Sequence, residues 1–335
     1  MIAVPIRPQL AVVVFLLGLA LPAPARAGEK TLLVLHKSAE SLGFYDPVTG
    51  ARRGETPVGT RPHEMVLSAD GRLAYVTNYG VNSYTDVAPG GKTVSIVDLA
   101  RREKVGEIDL GEFRRPHGIE RGRSGRLYVT VDTPGSLLVL DPSTRRVVAR
   151  HDVGQSLPHM LALSHDEKRA WTANSGSGTV SALRLDAIDA PTHVPVGGVP
   201  MGLALSSDGR RLFVATRSGN EVVVIDTAGD AVTARIRVEG QPARLHFTRG
   251  DARLLVSLIQ SGEVAVIDPG ALREVHRFPA GAAAEGLGLD GAGRFGYVSA
   301  QGDDKVVQFS LADWRKTLEI ATAARPDPVI LWDGR

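Results

Sequence analysis

From residue 30 onward the chain consists of short segments in which apolar and polar residues alternate, each ending at a turn signal. This period of two is typical of β-strands that bury one face. One segment ends at Asp70-Gly71, a pair suited to a tight hairpin, and residues 75–78 and 94–98 form the next two strand-like runs. No apolar stripe with the 3.6-residue period reaches helical length. The pattern therefore predicts an all-β chain.

The same pattern repeats along the sequence. Equivalent segments begin at residues 116, 158, 200, 242, 284 and 326, which are 42 residues apart, and an earlier copy begins at residue 62. The first interval, from 62 to 116, is longer, so about twelve residues are inserted in the first unit. Each unit contains four predicted strands, and antiparallel units of this size are typical of β-propellers.

The two ends of the chain complete one another. Six full units occupy residues 62–325, residues 326–335 supply only a first strand, and residues 31–61 supply the three remaining strands. We therefore predict a seven-bladed β-propeller of four-stranded antiparallel blades, whose ring is closed by N- and C-terminal strands that share one blade. Such closure protects the sheet edges. Residues 28–335 would form a single domain.

The second strand of the first unit reads Tyr75-Val76-Thr77-Asn78, and degenerate copies lie at residues 128–130 and 213–216. This repeat resembles the YVTN family of bacterial seven-bladed β-propellers, and the resemblance covers nearly all of the chain after residue 27. It implies the propeller fold. Members of that family include ligand binders, surface-layer proteins, accessory factors and relatives of enzymes, so the resemblance does not select one chemistry.

The first 27 residues have the features of a secretory signal peptide. Arg7 gives the positive start, residues 10–21 form an apolar core, and Ala25-Arg26-Ala27 fits a cleavage site. We expect a periplasmic or secreted protein, with an uncleaved membrane anchor as the alternative. The chain has no cysteine, which excludes disulfides, thiolate metal sites and covalent haem attachment. A net charge of +2 argues against a nucleic-acid partner.

Candidate chemistry lies where the blades converge. The position after the leading Pro of each repeat should face the mouth of the central channel, and in ring order it is occupied by His63, His117, His159, Met201, Ala243, Glu285 and Asp327. A second slot, the last position of strand two, carries His36, Asn78 and Asn174 in three of the blades. His63, His117, His159 and His36 are the predicted metal ligands, and imidazoles suit Cu, Zn or Fe. A small-molecule pocket without metal and a merely polar channel mouth are the alternatives.

Two loops are expected beside these histidines. The insertion at residues 79–91 would leave strand two on the same face and cover the hub as a lid that carries Tyr84 and Asp86. The next loop adds Arg114 and Arg115, whose positive charges would suit an anionic ligand. A loop without a function is the alternative, since loops commonly differ between repeats.

Three functions are consistent with this pattern. The first is a binding or accessory protein that holds a metal, cofactor or small ligand at the hub, with a periplasmic protein as a further partner and a monomer as the expected state. The second is an enzyme: a copper-type oxidoreductase, or a lactonase-like hydrolase in which Glu285, Asp327, Asn78 and Asn174 would hold Ca²⁺. The third is a protein-interaction scaffold. In placement, the histidines resemble the copper- and haem-binding hubs of nitrous oxide reductase-like and nitrite reductase-like propellers.

Overall fold

The structure, a computed structural model, describes residues 28–334. Its strands form seven separate four-stranded sheets, so the predicted all-β seven-bladed propeller is confirmed. The predicted signal peptide, residues 1–27, lies outside the described residues. Within residues 28–334 no helix combines the length and apolar character that a membrane crossing requires.

The strands occupy four concentric positions in the ring. The first strands, at the hub, are β4 (Pro62–Leu67), β8 (Arg114–Arg121), β12 (Pro158–Leu163), β16 (Pro200–Leu205), β20 (Pro242–Phe247), β24 (Ala284–Leu289) and β28 (Pro326–Trp332). The second strands are β1 (Thr31–His36), β5 (Leu73–Asn78), β9 (Leu127–Thr133), β13 (Arg169–Asn174), β17 (Arg211–Thr216), β21 (Leu254–Leu258) and β25 (Phe295–Ala300). The third strands are β2 (Ser41–Tyr45), β6 (Thr93–Asp98), β10 (Ser136–Asp141), β14 (Thr179–Arg184), β18 (Glu221–Asp226), β22 (Glu263–Asp268) and β26 (Lys305–Ser310). The outer strands are β3 (Arg52–Pro57), β7 (Glu103–Asp109), β11 (Arg146–Asp152), β15 (Thr192–Pro195), β19 (Ala231–Arg237), β23 (Arg273–Pro279) and β27 (Lys316–Ala321). Two 3₁₀ turns, Arg249–Asp251 and Gln301–Asp303, lie in connecting loops.

One blade is built from both ends of the chain. Its strand order is β28-β1-β2-β3, and Val34 of β1 is paired with Val329 of β28. The indole N–H of Trp332 donates to the Gly71 carbonyl in the neighbouring blade at 2.7 Å. The ring is therefore closed by strand pairing, which removes the exposed edge that an open array would leave.

The hydrophobic core lies between the blades. Each of seven buried clusters joins one blade to the next; in one of them Val94 and Ile96 of β6 pack with Val129 of β9 and Leu138 of β10. The second and third strands are nearly continuous buried runs, as in β1, β5, β2 and β10, whereas outer strands such as β11 alternate exposed and half-buried residues. Because both faces of the inner strands are covered, their apolar residues hold neighbouring blades together.

A β-bulge recurs at the hub end of each first strand. In all seven blades the pairing of strands one and two is irregular directly after the leading residue of the repeat, as between Pro62 and Met65. The Thr77 hydroxyl accepts the N–H of Glu64 at 3.0 Å and donates to the His117 carbonyl of the next blade at 2.8 Å. Bulges redirect side chains. The Thr of the repeated second strand thus fixes the position from which the hub residues project.

The first strands also approach one another closely. A Cβ atom on Gly118 would lie 2.7 Å from the His159 carbonyl oxygen, and one on Gly286 would lie 1.9 Å from that of Asp327. Glycine at these two positions therefore permits the backbone contact between adjacent blades.

Candidate functional site

A cavity of about 500 Å³ opens at the hub, on the face where the first strands begin. Its volume lies in the range of small-molecule sites. Five of the seven residues predicted to face the channel mouth line it: His63, His117, His159, Met201 and Glu285. The structure therefore brings together residues that are far apart in sequence, because equivalent positions of a circular array converge on its axis.

The three imidazoles form a fan. The ring centroids of His63 and His117 are 3.8 Å apart with their planes at 43°, and those of His117 and His159 are 3.8 Å apart at 40°. The outer pair, His63 and His159, is separated by 6.1 Å with the planes at 84°. Each successive blade therefore turns its ring by a similar step in the same sense.

All three imidazoles are held in the neutral state. Burial lowers the pKa of His63, His117 and His159 well below the usual value, and the neighbouring cations Arg244 and Lys37 lower it further. A neutral imidazole keeps a lone pair on one ring nitrogen. At neutral pH the fan can therefore donate to a metal ion without first losing protons.

The Nδ1 atom of each of these histidines is buried and lacks a hydrogen-bond partner among the described residues. Most buried polar atoms have a partner, and leaving one without a partner costs roughly 1–3 kcal/mol. Three neighbouring rings thus each carry a nitrogen atom that no described residue uses.

Tyr79 and Asp132 form the wall beside the fan. The Tyr79 ring lies edge-on to His63 and His117, with centroid distances of 5.5 and 5.2 Å, and its hydroxyl donates to Asp132 Oδ2 at 2.6 Å. Burial raises the pKa of Asp132 to about 6, although the hydrogen bond from Tyr79 and the charge of Arg115 oppose the rise. This wall fixes the outer surface of two of the three imidazoles.

The channel beneath the fan is closed by buried ion pairs. Arg244 Nη2 contacts Glu64 Oε1, Lys37 Nζ contacts Asp327 Oδ2, and Arg244 Nη2 is also 3.8 Å from Asp327 Oδ2. Burial raises the pKa of Glu64 and of Asp327, and the two cations oppose that rise. Arg244 thus joins its blade to the carboxylates of two blades that are not its neighbours in the ring, whereas Lys37 and Asp327 belong to the same composite blade.

Sequence reasoning missed Glu64, Arg244 and Lys37. A signal was present for the first two, because they follow the channel-mouth slot at a position occupied by glycine in three other repeats. A charged residue at that position has no place between adjacent strands and must project into the hub. Comparing this position in all seven repeats would have identified Glu64 and Arg244 as its two charged residues, of opposite sign.

A second group of side chains at the hub could also be considered as metal ligands. The ligand atoms of His63, Glu64 and Asp327 lie within 4.8 Å of one another. Both carboxylates already face cations, so a metal ion there would have to displace Arg244 and Lys37. The imidazole fan has no such competitor among the described residues, because the Nδ1 atoms of His63, His117 and His159 have no hydrogen-bond partner there.

The second predicted slot does not face the cavity. Both ring nitrogens of the fully buried His36 are engaged inside the composite blade: Nδ1 with Ser41 Oγ at 3.0 Å and Nε2 with the Tyr45 hydroxyl at 3.1 Å. The Asn78 amide donates to Thr93 Oγ1 and Ser95 Oγ, at 2.8 and 3.0 Å. These residues point along the blade towards strand three and do not join the fan.

Asn174 behaves in the same way, since its amide donates to Thr179 Oγ1 at 3.0 Å and to Ser181 Oγ at 2.8 Å. The residues that do line the cavity come one position later in every blade: Lys37, Tyr79, Asp132, Ser175, Arg217, Ile259 and Gln301. A shift of one residue reverses the direction of a side chain on a strand. The oxygen set expected for Ca²⁺ (Glu285, Asp327, Asn78 and Asn174) is therefore not brought together.

The other predicted ligand residues occupy different depths. Met201 lies beside the fan, with its Sδ 3.8 Å from Ser175 Oγ, and Asp327 is buried in the ion pairs below. Against the effect of burial, Lys37, Arg244 and Arg217 lower the pKa of Glu285 and keep it charged. Glu285 is thus the acidic residue of this slot that lines the cavity.

The inserted loop borders the cavity mouth. Residues 81–84 belong to the lining, and Tyr84 remains 60% exposed. The Asp86 carboxylate faces its own loop, where Oδ2 accepts the N–H groups of Asn82 and Ser83 at 2.9 and 3.2 Å. Asp86 therefore shapes the loop and does not face a ligand.

The two arginines of the following loop have different surroundings. Arg115 donates to the carbonyls of Tyr84, Asp86 and Ala88, and so holds the inserted loop in place. Arg114 donates to the Gly111 carbonyl at 3.1 Å. Neither side chain lines the cavity, whose positive charges come from other residues.

Solved structures share this architecture at low sequence identity. The periplasmic gluconolactonase PpgL of Pseudomonas aeruginosa is 17% identical with a TM-score of 0.73, covering 90% of this chain and 99% of that one. The dihydro-heme d1 dehydrogenase NirN, in complex with DHE, is 15% identical with a TM-score of 0.67, covering 95% and 78%. Hydrazine synthase of Kuenenia stuttgartiensis is 18% identical with a TM-score of 0.70, covering 82% and 90%.

No family model matches this chain, and no curated protein matches it in sequence. Membership of the YVTN family therefore stays a prediction. The similarity to the solved structures concerns the propeller fold alone, and the chemistry has to be inferred from the hub itself.

Proposed function

We propose that this protein is a periplasmic binding protein that holds a transition-metal ion, or a small ligand that carries one, at the imidazoles of His63, His117 and His159. The observation that carries the proposal is the fan of buried, neutral rings whose Nδ1 atoms lack partners. A bound ion would remove the cost of these unused nitrogen atoms. Copper, zinc and iron are the metals that imidazole ligands suit.

Two features favour a ligand larger than a bare ion. The cavity volume of about 500 Å³ exceeds what one ion and its water ligands need, and the loop at residues 81–84 borders the mouth. A periplasmic location is supported by the predicted signal peptide and by the likeness to a periplasmic gluconolactonase.

The test is calorimetric titration of untagged, metal-free protein with Cu²⁺ and with Zn²⁺. We expect one ion per chain, and we expect His63→Gln, His117→Gln and His159→Gln each to weaken binding by about 100-fold or more, since losing even an outer-shell partner of a metal site costs 10–100-fold. His276→Gln, on the exposed outer strand β23, is the matched control and should bind as wild type does.

Absence of binding by the wild-type protein would overturn the proposal. Equal affinity of the wild type and all three hub variants would also overturn it, because the ion would then be bound elsewhere on the chain.

A further inference from the structure

The cavity has two chemically different sides. The imidazoles of His63, His117 and His159 come from three consecutive blades, whereas the positive charges of the lining come from other blades and loops. Arg217 follows β17, and Lys37 and Arg325 flank the hub end of the composite blade. Arg61, in the loop that leads from the composite blade into β4, completes the set.

Two of these cations lack an acidic partner. Among residues 28–334, neither Arg217 nor Arg325 has a carboxylate oxygen within 4.0 Å of its guanidinium group. Arg61 is bound by a neutral group, since its Nη1 donates to Ser38 Oγ at 3.0 Å. Lys37 is the exception, because it contacts Asp327. An arginine that faces a cavity without a counter-charge is suited to an oxyanion of a ligand.

A buried hydrogen-bond donor is also unused on this side of the cavity. Gln301 Nε2 is buried and has no acceptor among the described residues. The acidic residues of the lining are already engaged, since Asp132 accepts from Tyr79 and Glu285 lies in the field of several cations. Unused donors call for a ligand that is rich in acceptor oxygens.

Arg217 and Arg325 also act on Glu285, which lines the same cavity. After Lys37 and Arg244, these two arginines lower the pKa of the Glu285 carboxyl group against the effect of burial. Glu285 is therefore charged and still leaves the region positive, which favours entry of an anion.

We propose that the ligand of this cavity is a small organic anion, with oxyanion groups that lie against Arg217 and Arg325 while the rest of the molecule faces the imidazole fan. This inference rests on the proposed function only in placing the ligand in the hub cavity. It adds the chemical class, because guanidinium groups bind carboxylates and phosphates through paired hydrogen bonds.

The test uses three probes in metal-free buffer of low ionic strength, with calorimetry as the readout: benzene-1,3,5-tricarboxylate, the neutral benzene-1,3,5-tricarboxamide, and inorganic phosphate. We expect the tricarboxylate to bind at one site and the amide not to bind. Arg217→Gln/Arg325→Gln should weaken tricarboxylate binding by at least about tenfold. Arg237→Gln removes one charge from the exposed outer strand β19 and should leave binding unchanged.

Binding of phosphate in place of the tricarboxylate, with the same dependence on the two arginines, would support the oxyanion and assign it as a phosphoryl group. Failure of both anions to bind wild type, or equal affinity of wild type and the double variant, would overturn the inference. Titration with Cu²⁺ separates the two proposals: if the double variant keeps metal binding and loses anion binding, the metal site stands on its own, and if wild type binds no Cu²⁺ but binds the anion through the two arginines, only the anion site stands.

Discussion

Two buried regions of this propeller contain histidine, and they treat the imidazole in opposite ways. Inside the composite blade, His36 uses both ring nitrogens, with Ser41 and Tyr45 as partners and Glu55 Oε1 at 3.5 Å from Nδ1. At the hub, the Nδ1 atoms of His63, His117 and His159 have no hydrogen-bond partner among the described residues. Burial therefore does not distinguish the two regions, whereas the unused nitrogen atoms at the hub do.

The carboxylates beside the two regions explain part of the difference in how their imidazoles are hydrogen-bonded. Glu64 Oε1 is 3.5 Å from His63 Nδ1, the same separation as between Glu55 and His36. Glu64, however, contacts Arg244 across the hub and is held by that cation. The ion pair thus keeps the nearest acidic group from becoming the partner of the imidazole.

Breaking the Glu64–Arg244 ion pair should lower the free energy of unfolding more than the other substitutions described below. Arg244→Met leaves Glu64 buried without its cation, and we expect the free energy of unfolding to fall by about 3–5 kcal/mol, measured by urea denaturation. The variant Glu64→Gln/Arg244→Met removes both charges and should recover most of the loss. If the single and double variants were equally unstable, the cross-hub ion pair would not be the reason.

Two leucine substitutions test the difference between His36 and the hub histidines. His36→Leu removes two hydrogen bonds and leaves the Tyr45 hydroxyl without its imidazole partner. The free energy of unfolding at pH 7 should therefore fall by about 2 kcal/mol. His117→Leu removes a nitrogen atom that had no partner, and in metal-free protein it should change the free energy by less than about 1 kcal/mol. A larger loss for His117→Leu than for His36→Leu would contradict this difference.

His36 should also make the stability of the protein depend on pH. Burial lowers the pKa of His36 to about 4, below the value of about 6.5 in an unfolded chain. The unfolded state then binds more protons, so stability is fully present above pH 6.5 and is lost as the pH falls towards 4. Between pH 7 and pH 5 the advantage of wild type over His36→Leu should shrink by about 2 kcal/mol. Urea denaturation at both pH values measures it, and a constant advantage would show that His36 is not buried in the neutral form.

The smallest loss of stability is expected when a threonine hydroxyl that positions the fan is removed. Thr130 accepts the Gly118 N–H at 2.8 Å and donates to the His159 carbonyl at 2.6 Å. Thr130→Val should lower the free energy of unfolding by about 1 kcal/mol and weaken Cu²⁺ binding modestly, by less than the loss of an imidazole. Val129→Ala, in the core of the same strand, is the control: it should destabilise the protein without changing the metal affinity.

The repeat was sufficient to predict the fold. The 42-residue period, the hairpin turns and the complementary ends gave seven four-stranded blades and their closure, because blades of one design pack against one another in one way. For the hub, the same period identified the slot of His63, His117 and His159. The neighbouring slot of His36, Asn78 and Asn174 was placed one residue too early, since the sequence does not reveal where the bulge shifts the pairing.

What the sequence alone determined is the periodic part of this protein: strand after strand, the alternation of apolar residues defines each blade, and the repeat length defines the ring. Only folding establishes the pairing across the hub, where Glu64 contacts Arg244 and where each imidazole has or lacks a partner. The reason is physical. Six of the seven blades form from residues close in sequence, whereas the chemistry of the hub depends on distances between residues far apart in the chain, such as Glu64 and Arg244, which are 180 positions apart.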